Sequence, residues 1–180
     1  MGIKIFNGKK IKIRQLSKSD LRNAKKFQDF INSLIGEEAK ILMKNNKTLK
    51  EERKWLEGKI KDIKSRKEVF LVAEGDNKII GTIGIGLRRE RENHVGEFGI
   101  TIRKGYRGIG LGKHLMGEIL KLAKKELKPK PKIIRLSVYS NNKPAIGLYK
   151  KMGFKKVAII PKQIQYKGRL IDEVIMLLYL

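Results

Sequence analysis

A stretch of twelve residues, Arg103-Lys-Gly-Tyr-Arg-Gly-Ile-Gly-Leu-Gly-Lys-His114, constrains the fold of this chain more than any other. Its glycines at 105, 108, 110 and 112 stand between segments of different periodicity. Before them, Val95 to Arg103 reads as a strand. After them, Leu111 to Leu127 carries apolar residues at 111, 115, 119, 122 and 123, the spacing of a helix with one buried face. Glycines in such a turn leave main-chain N–H groups uncovered, and the helix that follows points its positive dipole end at the same place. The arrangement cradles a phosphate or pyrophosphate. Two phosphate patterns do not fit it. A Walker A loop is excluded by Arg107 and His114 at its two decisive positions. The dinucleotide fingerprint requires glycine at 113 or 115, where Lys113 and Leu115 stand. What remains is Arg107-x-x-Gly110-x-Gly112.

The flanking elements follow from period and punctuation. Ile3–Phe6, Asn7-Gly8 and Lys9–Arg14 predict a hairpin, because Asn-Gly readily supplies two positive φ angles. Ser17-x-x-Asp20 starts a helix with a stripe of Leu21, Ala24, Phe27, Ile31 and Leu34. Thr48-x-x-Glu51 is a capping box opening a charged helix to about Ile63. Val69–Ala73 and Lys78–Ile85 are antiparallel strands about the turn residues Gly75-Asp76-Asn77, and Arg88–Asn93 is a charged loop. Ile133–Val138 is a strand. Asn142–Met152 is a short helix stopped by Gly153. Val157–Ile160 and Leu170–Leu180 close the chain around Lys167-Gly168. No Pro/Gly/Ser-rich linker divides the 180 residues. The expectation is one α/β (α+β) domain over residues 1–180, a mixed, mostly antiparallel central sheet flanked by about four helices.

Charge narrows the partners. The chain has 43 Lys+Arg against 18 Asp+Glu, a formal charge of +25. Such a body attracts phosphate esters, nucleic acid and acidic or ribosomal surfaces, and repels free polycations. With no cysteine and two histidines, His94 and His114, disulfides, thiolate chemistry and a metal site are not expected. Lysine and isoleucine richness without cysteine also fits a thermophilic source. No apolar run approaches the ~20 residues of a membrane span, and Met1–Arg14 lacks an apolar signal core, so a cytoplasmic location is expected.

Arg107-x-x-Gly110-x-Gly112 has a companion one strand later: Asn142-x-x-Ala145-x-x-Leu148-Tyr149-x-x-Met152-Gly153-Phe154. In this order and with this spacing the pair resembles the GNAT superfamily of N-acetyltransferases, over about Ile11 to Leu180. Only the first strand of the opening hairpin looks like an addition.

The resemblance implies acetyl-CoA as cosubstrate, without a metal. Its pyrophosphate would lie on the amides of Arg107, Gly108, Ile109, Gly110, Leu111, Gly112 and Lys113. Its pantetheine arm would pair with Ile100, Thr101 and Ile102, along a strand edge opened by a bulge for which Gly96 and Gly99 are the expected places. The Ile102 amide would hold the oxyanion. Asn142 matches a position that contacts the cofactor arm, and also reads as a plain N-cap. Tyr149 matches the tyrosine that protonates the departing thiolate. An amine must lose a proton to attack, and the base is open: Glu97 comes first, Tyr139 second, His94 or a water chain third. Ser137 stands where N-terminal acetylating relatives carry a glutamate. Trp55 and the charged second helix read as a core anchor and a solvated face; the alternative is that they line the acceptor site, which the first two helices cover in similar enzymes.

The acceptor expected is a protein amine, ribosomal or N-terminal. A small amine or polyamine, drawn by Glu90, Glu92 and Glu97, is the alternative, and a homodimer is compatible with both. A basic nucleic-acid-binding module is the rival from another class; it lacks aromatic content, 7%, and any recognised motif.

Overall fold

The computed structural model describes residues 1–180. Eight strands form one sheet: β1 (Gly2–Phe6), β2 (Lys9–Gln15), β3 (Glu68–Gly75), β4 (Lys78–Leu87), β5 (Val95–Ile102), β6 (Ile133–Tyr139), β7 (Lys155–Tyr166) and β8 (Arg169–Tyr179). Their order is β1-β2-β3-β4-β5-β6-β8-β7. Every pairing is antiparallel except β5 with β6. The helices are α1 (Ala24–Gly36), α2 (Leu49–Lys64), α3 (Leu111–Glu126) and α4 (Lys143–Lys151).

The hairpin turns form as their residues dictate. Asn7 and Gly8 take φ of 46° and 75°, Asp76 and Asn77 49° and 57°, and Lys167 and Gly168 51° and 73°. All three are left-handed pairs matched to strand twist. Thr48 caps α2 through the Glu51 amide, and Glu51 returns a carboxylate bond to the Thr48 amide at 2.8 Å. The helix predicted from Ser17 begins as a 3-10 turn, Lys18–Asn23, before α1. The reason is local: buried Asp20 accepts from the Ser17 amide at 2.9 Å and from Arg14 at 2.7 and 2.8 Å. β7 runs further than the expected Val157–Ile160. Its pairing with β8 shifts between Ile160 and Ile164, where Lys162 adopts φ 54° and donates its amide to Asp172.

Two cores lie on opposite faces of the sheet. Alternation along β3 sends Val69, Leu71 and Ala73 to the larger one, with Leu115, Met116 and Ile119 of α3 and Tyr149 of α4. Phe70 and Val72 point the other way, to Phe27, Phe30 and Leu34 of α1 and Leu56 of α2. No helix is long and apolar enough to cross a membrane.

The parallel contact of β5 with β6 covers only Val95–Ile133, Gly96–Ile134 and Glu97–Arg135. Beyond Glu97 the strands part. The bulge expected at Gly96 or Gly99 is absent: β5 keeps unbroken register with β4, from Gly96 opposite Leu87 to Ile102 opposite Gly81. The parting arises because β5 and β6 are joined by a helix crossover and then diverge with the sheet twist. Gly96 has a packing role, since a Cβ there would lie 2.7 Å from Ile85 and 2.8 Å from Ile134. Gly99 faces open space. Gly96→Ala is therefore expected to lower stability in urea unfolding by about 1–3 kcal/mol, whereas Gly99→Ala should stay within about 0.5 kcal/mol of the parent.

Candidate active site

The gap between β5 and β6 opens into a cavity of about 540 Å³. Gly99, Ile100 and Thr101 of β5 form one side, and Leu136 to Tyr139 of β6 the other. Residues of α1, α2 and the segment Lys40–Met43 roof it. Hydrogen bonds from Arg103 N to Ile80 O, 2.8 Å, and Arg88 N to Val95 O, 2.9 Å, bracket the β4–β5 ladder. The alternation of an antiparallel ladder then commits the main chains of Glu97, Gly99 and Thr101 to β4. Those of Ile100 and Ile102 point toward the parted side. Ile102 O is taken by Arg107 Nε at 2.6 Å.

The glycine-rich turn continues directly from this edge. Gly105, Gly108 and Gly110 hold φ of 86°, 77° and 87°, and Gly110 is the N-cap of α3. The first helical bond is His114 N to Gly110 O, which leaves the first-turn amides of Leu111, Gly112 and Lys113 without helical partners. Gly112 lies where a Cβ would come within 3.1 Å of Leu148, so α3 packs closely on α4. Lys113 is exposed beside the turn. Arg107 braces the turn: it bonds Ile102 O and pairs with Glu37 at the end of α1.

Tyr149 stems from α4, in the core on the opposite face of the sheet, and reaches the cavity through the gap. Phe98 and Phe154 hold its ring, with centroids at 5.9 and 6.1 Å. It is 7% exposed, and burial alone pushes its hydroxyl pKa up to about 12. A phenol so placed keeps its proton in the free protein. Asn142 also lines the cavity and makes no side-chain cap of α4, so the plain N-cap reading does not hold.

The base candidates fare differently. Glu97 is not brought to the cavity lining. Its carboxylate accepts from Arg135 Nη1 at 2.9 and 3.1 Å, with Arg88 at 3.9 Å. Arg88 also pairs with Glu92 at 2.9 Å, so the acidic patch expected from Glu90, Glu92 and Glu97 is largely neutralised by arginine. Tyr139 lines the cavity but donates its hydroxyl to Ile41 O at 2.7 Å. Trp55 packs edge-on against Phe70 and lines the cavity, 39% exposed.

Sequence reasoning missed Glu52. It lies on α2, lines the cavity and is 7% exposed. Burial pushes its carboxyl up to about 7, against a smaller downward pull from Lys47. Its neighbour Glu51 caps the helix and sits 3.7 Å from Lys47, while Glu52 has no cation within 4.0 Å. A signal was present in the sequence: Glu52 stands four residues before Leu56 and eight before Ile60, on the face that α2 buries. Because its folded pKa lies above the unfolded value, Glu52 favours folding at low pH, and that contribution is lost as pH rises through about 7. Glu52→Gln should accordingly gain thermal stability relative to the parent between pH 5 and pH 8, read from melting temperatures across that range.

Known proteins share this architecture. The family model described as Acetyltransferase (GNAT) family matches residues 34–154, well over half of the chain. The L-amino acid N-acetyltransferase AaaT of Escherichia coli is 32% identical over 103 residues, 57% of this chain and 62% of that protein. An N-alpha-acetyltransferase of Sulfurisphaera tokodaii is 30% identical over 112 residues, 56% of this chain and 65% of that protein. The match thus spans less than two thirds of either relative. The crystal structure of a GNAT-family acetyltransferase from Streptococcus pneumoniae superposes with a TM-score of 0.81 at 24% identity, covering 94% of this chain and 99% of that one. A glycine turn opening α3, a β5 edge freed from β6 and a sheet of this order are thus found together with the matching family model, and the chain belongs to the acetyltransferase (GNAT) family.

Proposed function

We propose that this protein transfers the acetyl group of acetyl-CoA to a primary amine by direct attack, without an acyl-enzyme. One observation carries the reading: the freed β5 edge runs straight into the α3 N-terminus, with Tyr149 lining the cavity that opens beside it. The unpaired amides of Leu111, Gly112 and Lys113 and the helix dipole suit the pyrophosphate. The glycines at 108 and 110 let Arg107, Gly108, Ile109 and Gly110 approach it by main chain. Ile100 and Ile102 present their peptide groups to the pantetheine arm as an added strand would, with Thr101 holding the edge to β4 through Thr82 at 2.9 Å. Asn142 faces the same arm from the start of α4. In this reading the Ile102 amide, whose main chain faces the parted side of β5, holds the oxyanion.

The chemistry asked of Tyr149 is to protonate the leaving thiolate. Burial keeps the proton on the phenol, so the hydroxyl is present as a hydrogen-bond donor to the charge that develops on sulfur as the C–S bond breaks. The acceptor we favour is an α-amine. The names of the two relatives share that group, an L-amino acid in one and the N-alpha position in the other. A protein N-terminus, ribosomal or other, and a free amino acid both satisfy it. A polyamine is disfavoured by the +25 charge and by the arginines paired to Glu92 and Glu97.

Gly110→Glu places a side chain at φ 87° and a negative charge at the anion cradle. It should abolish the thermal shift given by acetyl-CoA while leaving the circular dichroism spectrum unchanged. Tyr149→Phe should bind acetyl-CoA as the parent does and turn over about 10²-fold more slowly, the scale of a lost general acid. Steady-state release of free CoA measures this, and equal turnover with chemistry rate-limiting would remove Tyr149 from the mechanism.

A further inference from the structure

Beyond the β5 edge assigned to the pantetheine arm, the cavity continues under α1 and α2. On the side away from β5 it is walled by Phe27, Phe30 and Ile31 of α1, Trp55 of α2 and Met43. A single carboxylate without a partner in the chain interrupts that wall, that of Glu52. The other ionisable groups lining the cavity are committed or of the wrong sign. Lys40 donates to Asn141 O at 2.9 Å. Lys47 leans on Glu51, and Glu51 is held by the Thr48 cap. Tyr139 donates to Ile41 O, and Tyr149 stays protonated. An uncompensated buried carboxylate is costly to the fold, and a cationic guest would relieve that cost.

Resting on the acetyl-transfer reading above, we propose that Glu52 receives the ammonium group of the acceptor and removes its proton, and that the surrounding apolar wall selects amines with a large apolar substituent. The proton balance is simple. An N–H proton of the ammonium passes to the Glu52 carboxylate, and the freed lone pair attacks the thioester carbonyl. The N–C bond forms and the C–S bond breaks. The thiolate takes the Tyr149 proton, the tyrosinate recovers one from the new amide nitrogen, and Glu52 returns its own to solvent. A carboxyl held near 7 by burial is matched to this task at neutral pH. Lys47 and Glu51 act on it from its own end of α2, and Lys40, Tyr139 and Tyr149 face it across the cavity.

The test measures CoA release with L-phenylalaninamide, glycinamide and spermidine as acceptors, for the parent and for Glu52→Gln, from pH 6 to 10. The thermal shift with acetyl-CoA is measured in parallel. The expected result is that the parent prefers L-phenylalaninamide by at least tenfold in kcat/KM. Glu52→Gln should keep the acetyl-CoA shift and lose about 10²-fold in kcat/KM near neutral pH, the loss shrinking once pH exceeds the pKa of the acceptor. A purely structural role would lower the rate equally at every pH. If Glu52→Gln does not fold, Glu52→Asp should retain the ascending pH limb with a rate about tenfold lower. A Glu52→Gln profile parallel to the parent overturns the base, and preference for glycinamide or spermidine overturns the apolar selection. A parent that shows no shift with acetyl-CoA defeats the acetyl-transfer reading itself. A parent that binds it and acetylates only amines of other kinds defeats this proposal alone.

Discussion

The structure turns on how briefly β5 and β6 touch. Three residues on each strand pair in parallel, and the two chains then separate. Everything at the candidate site follows from that separation. The main chains of Ile100 and Ile102 lose their neighbour, so they are available to a ligand. Tyr149 can cross from the core on one face to the cavity on the other. The two cores, each closed by its own pair of helices, keep the sheet rigid on both sides of the opening. Gly96 sits near the fork, packed between Ile85 and Ile134.

The opening separates two kinds of polar group. At the α3 end are main-chain donors, which carry no titratable charge and suit an anion at any pH. Within the cavity are Tyr149 and Glu52, each buried and each pushed away from its ordinary pKa by desolvation. Burial drives the phenol to hold its proton more firmly and leaves the carboxyl balanced near neutrality. A donor and an acceptor with pKa values so far apart are the arrangement expected of an acid and a base acting on one reaction. Of the abundant lysines only Lys40 and Lys47 reach the cavity, which is lined mainly by aromatic and aliphatic side chains, and the pull of Lys47 on Glu52 is smaller than the effect of burial.

Charge pairing explains why the carboxylate that stood out in the sequence is not the one in the cavity. Glu97 is two residues from Gly99, and its place on the strand made it the natural base. Its neighbour across the parallel contact is Arg135, and the pair closes the fork on its solvent side. Glu52 lies in a strongly charged helix, where its i, i+4 phase with Leu56 and Ile60 is easily passed over among the surrounding lysines and glutamates. The face it shares with buried Leu56 is the one α2 packs inward.

The sequence by itself determined the order of elements, the three left-handed hairpin turns and the glycine cradle ahead of α3, because each rests on local backbone preference or short-range periodicity. It also marked Tyr149, through the resemblance of the motif that carries it. The same resemblance anticipated an open strand edge but attributed it to a bulge, whereas β5 keeps its register with β4 and the opening comes from its early separation from β6, a long-range feature that no local pattern encodes. Nor could it choose among eighteen acidic side chains. That choice was made by the tertiary structure, which set Arg135 beside Glu97 and left Glu52 buried without a cation.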